Sequence, residues 1–98
     1  MSITNLLTLA ESLPENWRST TVGRAGGANF KVLRMDDSAY PNEVHEFDEA
    51  LVVLEGKMNL RFGETVVPVM AGEVYIVPAG VQHGVAHGSH GTLIIIDQ

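Results

Sequence analysis

Four side chains in this sequence have the chemistry and the spacing of a transition-metal site. Glu43, His45 and Glu49 fall within seven consecutive residues, and His83 lies in a second, separate segment. Proteins build zinc, iron, manganese and nickel sites from imidazole nitrogens and carboxylate oxygens, and three or four must converge on one point. Taken singly, such residues are more often structural or solvated, so the hypothesis depends on both spacings together. The sequence therefore predicts one divalent transition metal, iron, manganese, zinc or nickel, held by these four residues.

Strands and turns must bring the four side chains together. Glu43 and His45 lie two positions apart, so on a β-strand both leave the same face, and Glu49 returns to that parity. His83 follows a corner at Pro78-Ala79-Gly80, where one strand ends and another begins. The corner is suited to aim a fourth ligand from across a barrel. The interior of an eight-stranded barrel is just wide enough for side chains or one small ligand.

The chain from residue 30 onwards alternates short strand-like segments with turn residues. The segments are 30–35, 50–54, 57–62, 65–69, 74–77, 83–86 and 93–96. Their regular spacing predicts an all-β fold, an antiparallel barrel or sandwich. Glu55-Gly56 is predicted to form a tight hairpin turn. Val53, Leu60 and Val85 are expected to line the interior.

The first 29 residues are predicted to be a helix and a loop that pack on the barrel formed by residues 30–98. Apolar residues at helical spacing indicate a short amphipathic helix, with Ser2 or Thr4 as its cap and Pro14 as its stop. Residues 15–29 have the composition of a loop. The aromatic residues are expected to serve packing rather than chemistry: Trp17, Tyr40, Phe47 and Tyr75.

Composition excludes several classes of function. Cysteine is absent from the 98 residues, so disulfides, thiolate metal sites and cysteine nucleophiles are excluded. The formal charge is −6, with 12 acidic and 6 scattered basic residues, which disfavours nucleic acid and anionic membranes as partners. The N-terminal stretch lacks the pattern of a signal peptide, and no apolar run has the length of a membrane span. A cytoplasmic protein is expected.

Two predicted strands are apolar on both faces, 51–54 and 93–96. A small barrel surrounded by water should instead show alternation. Their outer faces are therefore expected to be covered by the helix or by a second subunit, and a homodimer is predicted.

The segment around Glu43 resembles the first sequence motif of the cupin superfamily. That motif is Gly, five residues, His-x-His, three or four residues, Glu, six residues, Gly. His45, Glu49 and Gly56 match it. Glu43 stands in the position of the first histidine, and Asp37 stands in the position of the leading glycine.

The segment from Gly72 resembles the second cupin motif, which is Gly, five residues, Pro-x-Gly, two residues, His, three residues, Asn. Gly72, Pro78, Gly80 and His83 match in register. His87 replaces the asparagine, and because it shares the parity of His83 it is expected near the site.

The chain is thus similar to the small single-domain cupins, and the resemblance covers residues 30 to 97. It implies a cupin-type antiparallel β-barrel, or jelly roll, with a short N-terminal helix. It also implies a mononuclear-metal enzyme, dioxygenase- or isomerase-like, acting on a small polar organic substrate. Two alternatives stay open: a non-catalytic barrel that binds a sugar or another small molecule, and a vestigial metal site.

Glu43 is where the chain departs from the family pattern. The usual three histidines and one glutamate leave a divalent site with net positive charge, whereas two histidines and two glutamates make it formally neutral. A neutral site should favour harder ions such as iron or manganese. If Glu43 points away, two histidines and one carboxylate remain, which is the facial triad of non-haem iron oxygenases.

Overall fold

The computed structural model describes residues 3–98, which form one short helix and eight antiparallel strands. The elements are α1 (Leu6–Ser12), β1 (Thr20–Ala25), β2 (Ala28–Met35), β3 (Tyr40–Glu43), β4 (Glu49–Phe62), β5 (Thr65–Met70), β6 (Val74–Val77), β7 (His83–Val85) and β8 (His90–Asp97). All strands join a single sheet in the order β1-β2-β8-β4-β7-β3, with β5 and β6 also paired to β4.

Strand β4 is the element that shapes this sheet. Its first half pairs with β6 on one side and β8 on the other, while its second half pairs with β5 and β7. Because β4 changes neighbours along its length, the sheet curls and two layers come to face each other across a common interior. The predicted antiparallel barrel architecture is confirmed.

The predicted hairpin at Glu55-Gly56 is wrong, because β4 continues through it with a bulge. The register against β8 shifts between Val53 and Glu55. Gly56 has φ 83°, and a Cβ atom there would clash with the backbone carbonyl of His90. The glycine therefore allows β4 to bend while its backbone stays against β8.

Gly56→Ala is expected to lower the free energy of unfolding by about 3 kcal/mol or more, because backbone atoms of β8 must move to admit the methyl group. Urea denaturation measures the loss. Gly63→Ala is the matched control, since Gly63 also has positive φ, 60°, but a Cβ there would meet nothing within 4 Å. The control should lose only about 1 kcal/mol, from the backbone conformation alone. Equal losses in both variants would contradict the proposed close approach.

The N-terminal part of the chain differs from its prediction in two respects. Helix α1 is capped by Asn5, whose side-chain oxygen accepts a hydrogen bond from the backbone N–H of Thr8 at 3.0 Å. Thr4 is not the cap, and Ser2 lies outside the described residues. Residues 15–29 are not one loop, because β1 lies there and forms a hairpin with β2 through Gly26-Gly27, both at positive φ. Among residues 3–98, no helix is long and apolar enough to cross a membrane.

Apolar side chains form two clusters on opposite faces of the sheet. The inner cluster fills the space between the layers and includes the predicted interior residues Val53, Leu60 and Val85. The outer cluster is built where α1 packs Ala10 against Val32 and Ile94 of β2 and β8. The helix thus covers the outer face of the 93–96 segment, as the sequence predicts.

Candidate metal centre

The two sequence segments that carry the predicted ligands are fastened to each other by backbone contacts. The loop between β3 and β4 docks on the Pro78-Ala79-Gly80 corner, since Gly80 N donates to His45 O at 2.8 Å. Ala79 N donates to the carboxylate of Asp48 at 2.9 Å. On the other side, Glu43 of β3 and His83 of β7 are paired in the sheet. These contacts bring Glu43, His45, Glu49 and His83 to the wall of one cavity.

His83 presents a nitrogen lone pair to a carboxylate. Its Nδ1 lies 3.1 Å from the carbonyl oxygen of Val81, which accepts only, so Nδ1 carries the proton. In the neutral ring, Nε2 then faces Glu49 Oε1 at 3.2 Å as a second acceptor. Both groups are buried. Two acceptors at this distance need a cation between them, which is either a proton or a metal ion.

His45 supplies a buried nitrogen without a hydrogen-bond partner. Its Nε2 is shielded from solvent and makes no hydrogen bond among the described residues. Glu43 Oε2 lies 3.3 Å away and Glu49 Oε2 lies 3.8 Å away, but neither contact has hydrogen-bond geometry. A buried polar atom left unpaired is costly, and a cation placed between the nitrogen and the two carboxylates would remove that cost.

Three of the four candidate ligands, Glu43, His45 and His83, are close enough together to hold one ion, and Glu49 contacts both imidazoles beside them. Ligand atoms of the first three lie within 4.8 Å of one another. Atoms bound about 2.1 Å from a metal lie roughly 3 Å apart, so small side-chain movements suffice. Exposure differs across the group. The side chain of Glu43 is 43% exposed, whereas Glu49 and His83 are buried.

The cavity next to these residues has a volume of about 260 Å³ and extends into the space between the two layers. Apolar side chains make most of its wall, and three aromatic residues line it: Trp17, Tyr40 and Phe47. Phe47 stacks on the imidazole of His45 with ring centroids 5.0 Å apart. Trp17 and Tyr40 also pack against the inner apolar cluster, as expected, and Tyr75 packs against Phe62.

Trp17 is held at the cavity by Asp36. The indole N–H donates to Asp36 Oδ1 at 2.8 Å, and the ring contacts Tyr40 with centroids 5.6 Å apart. Hydrogen bonds from the backbone N–H of Ser38 and from the indole lower the pKa of Asp36 to about 2. The carboxylate therefore stays ionised at neutral pH. Its stabilising contribution is lost only as the pH falls below the ordinary value near 3.8 and through about 2.

His87 and His90 do not line the cavity. The expectation that His87 lies near the site is wrong, because the chain leaves β7 after Val85 and the strand parity is lost there. His87 is exposed, and its Nδ1 contacts the carbonyl oxygen of Asp37 at 3.1 Å. His90 is exposed at the start of β8.

Sequence reasoning missed two charged residues of the cavity, Lys31 and Asp97. The sequence signal that could have found Lys31 is its position on the inward-facing side of a strand. Lys31 has the same strand parity as Leu33 and Met35, which point to the inner face of β2. A charged residue therefore falls on a face that is otherwise apolar. Such a placement suggests a role in the cavity rather than on the surface.

Comparison with known proteins identifies the family to which this fold belongs. The cupin domain family model matches residues 33–97, and the chain belongs to that family. A comparison with curated proteins found no match.

Solved structures show the same fold over nearly the whole chain. A cupin-2 domain containing protein from Shewanella frigidimarina is 22% identical, with a TM-score of 0.85, covering 96% of this chain and 92% of its own. Protein NMB1881 from Neisseria meningitidis is 24% identical, with a TM-score of 0.81 and 97% of both chains covered. TT1209 from Thermus thermophilus is 28% identical, with a TM-score of 0.75, covering 99% and 96%. The predicted cupin barrel is thereby confirmed.

Proposed function

We propose that this cupin binds one divalent transition metal, iron, manganese, zinc or nickel, through Glu43, His45, Glu49 and His83. The observation that carries the proposal is the buried Nε2 of His45, which lacks a hydrogen-bond partner and lies beside two carboxylates. The second imidazole supports it, because His83 Nε2 also faces a carboxylate as an acceptor. A proton could satisfy one of these contacts, but a divalent ion would satisfy both at once.

The charge of the cavity supports the same proposal. Its wall carries the carboxylates of Glu43, Glu49 and Asp97 and the ammonium of Lys31, which gives a formal charge of −2 with neutral histidines. Like charges in a poorly solvated space raise each other's energy. A divalent cation would cancel this charge.

The proposed activity is that of a mononuclear-metal enzyme, dioxygenase- or isomerase-like, acting on a small polar organic molecule. The four side chains come from β3, β4, β7 and the loop before β4, and the cavity lies open beside them. Catalytic metal sites differ from structural ones in keeping such an open side for substrate. A metal held there would polarise substrate oxygens as a Lewis acid. In this proposal the apolar and aromatic walls limit the water around the substrate, and Glu43 or Glu49 accepts a proton if it detaches from the metal.

Metal content tests this proposal. The protein is produced without a metal-affinity tag and reconstituted with iron, manganese, zinc or nickel. Its metal content is then measured by inductively coupled plasma mass spectrometry. One ion per chain is expected, with electron density at His45 Nε2 in crystals. Absence of bound metal after every reconstitution would leave a vestigial site. Stoichiometric metal with tight binding of a sugar and no turnover would instead support a non-catalytic receptor.

The proposal includes a homodimer formed through the outer face of β4 and β6. Val74 and Ile76 are 54% and 59% exposed there, beside Leu54. Helix α1 covers the neighbouring part of the same face but not these residues. Exposed apolar surface of this kind is typical of subunit contacts.

Ile76→Glu should therefore convert a dimer into a monomer, because the charge would be buried in the contact. Light scattering at micromolar concentration should give twice the chain mass of 10.6 kDa for the wild type and the single mass for the variant. Val66→Glu, on exposed β5, is the matched control and should stay dimeric. A monomeric wild type would refute the dimer.

A further inference from the structure

An ion pair with a buried carboxylate and a half-buried ammonium lies in the cavity wall apart from the candidate metal ligands. Lys31 Nζ donates to Asp97 Oδ2 at 2.9 Å, and Asn29 Nδ2 donates to Asp97 Oδ1 at 3.2 Å. The side chain of Asp97 is only 4% exposed, and that of Lys31 is 27% exposed. Both residues line the cavity. Burying the carboxylate of this pair costs desolvation that an apolar residue would avoid, so its presence points to a use.

The strand register places this pair beside the candidate metal ligands. In the β2–β8 ladder Asp97 pairs with Asn29, and in the β4–β8 ladder Ala50 pairs with Ile96. One position further along, Glu49 therefore lies opposite Asp97 on the adjacent strand. Lys31 lies on β2 and Glu49 on β4, on either side of β8, and both side chains line the same cavity.

The ammonium group of Lys31 has capacity for a further partner. It carries three N–H donors, of which Asp97 takes one, and the carboxylate fixes its position. Among the described residues that line the cavity, Lys31 is the only lysine or arginine. A ligand that bears negative charge is repelled by the glutamates and attracted to this group and to a bound metal.

We infer that Lys31, positioned by Asp97, binds a carboxylate of the substrate while another oxygen group of the same molecule binds the metal. This inference rests on the proposed function, since the substrate would be bound by two cations, the metal and Lys31. The substrate class is then a small carboxylic acid with a second oxygen-bearing end. A carboxylate of the substrate would accept a hydrogen bond from one of the two N–H donors that Asp97 does not take. A phosphate would bring nearly two charges beside Asp97 and Glu49, and the volume of about 260 Å³ limits the ligand to a small molecule.

The test is calorimetric titration of zinc-loaded protein with three dicarboxylates, malonate, succinate and glutarate. Each is matched by a monocarboxylate of the same length: propionate, butyrate and pentanoate. At least one dicarboxylate should bind about tenfold more tightly than its match, since a charge-assisted hydrogen bond to the ammonium is added. Lys31→Met should abolish this preference and leave zinc content unchanged. Lys57→Met is the control, because Lys57 lies outside the cavity, and it should keep the preference.

Each other outcome has a defined meaning. Lys31→Met leaves Asp97 without its cation, so Lys31→Met with Asp97→Asn is tested in parallel and should show the same loss of preference in a folded protein. Zinc-loaded wild type without a dicarboxylate preference, or with one that survives in both variants, would overturn the inference and leave the metal site intact. Tighter binding of inorganic phosphate than of every dicarboxylate would overturn the choice of carboxylate. Wild type that binds no metal would overturn the proposed function and this inference together.

Discussion

His83→Ala is expected to lose stoichiometric metal. Its Nε2 faces Glu49 Oε1 at 3.2 Å, and His83 is the candidate ligand that β7 contributes to a group otherwise supplied by β3, β4 and their connecting loop. Removing one of three or four ligands should weaken affinity by about 100-fold or more, since even residues that only support a ligand are worth 10–100-fold. Elemental analysis after dialysis and competition with a chromophoric chelator measure the loss.

The matched control for this variant is His87→Ala, which removes an exposed imidazole four positions along the chain that contacts only the Asp37 carbonyl among its described partners. It should keep full metal content. Circular dichroism and urea denaturation must show that His83→Ala remains folded, and His83→Gln provides a variant of closer volume. Full metal retention in a folded His83→Ala protein would refute the assignment of His83 as a ligand.

The barrel could be predicted from the sequence because its signals are local. Alternation in β4, where Met58 and Leu60 are buried between more exposed residues, is a direct consequence of the two-residue period of a strand. The turn at Pro78-Ala79-Gly80 is likewise a local signal, because its own proline and glycine determine where the chain turns. Register between distant strands then follows from which faces must be buried.

The errors at Glu55-Gly56 and in residues 20–25 have a common cause. A glycine at positive φ serves a hairpin or a bulge equally well, and only the partner strand β8, about 35 positions further along, decides between them at Gly56. Strand β1 is polar and largely exposed at the edge of the sheet, so it lacks the burial pattern by which strands are predicted. In both cases the deciding contact is not local.

The candidate site could be predicted in its residue types but not in its surroundings. Parity indicated that Glu43 and His45 share a direction, and the structure brings them within 3.3 Å. The sequence could not indicate that Trp17 reaches the cavity, because its position depends on a hydrogen bond to Asp36, 19 residues away. Parity does not determine whether the side chain of Glu43 reaches a metal ion, because that depends on its conformation.

Glu43→Gln is expected to weaken metal binding by about tenfold or more, because a neutral amide is a poorer ligand than a carboxylate. Glu43→His should keep the metal, since it restores the three-histidine set of the family pattern and raises the formal charge of the site by one unit. Cobalt substitution provides an optical readout. Its visible absorption depends on the number and type of ligands, so both variants should differ from the wild type in spectrum as well as in affinity.

Glu46→Gln is the matched control, because Glu46 is exposed in the same segment, carries the same charge and lies outside the cavity wall. It should reproduce any general effect of losing one negative charge, which is screened by salt, and leave the cobalt spectrum unchanged. If Glu43→Gln and Glu43→His also match the wild type in affinity and spectrum, Glu43 is a solvated carboxylate at the cavity mouth. The metal would then be held by His45, Glu49 and His83 alone, which is the two-histidine, one-carboxylate set of the facial triad. That result would remove one negative charge from the metal's ligands and leave it with an additional open position facing the cavity.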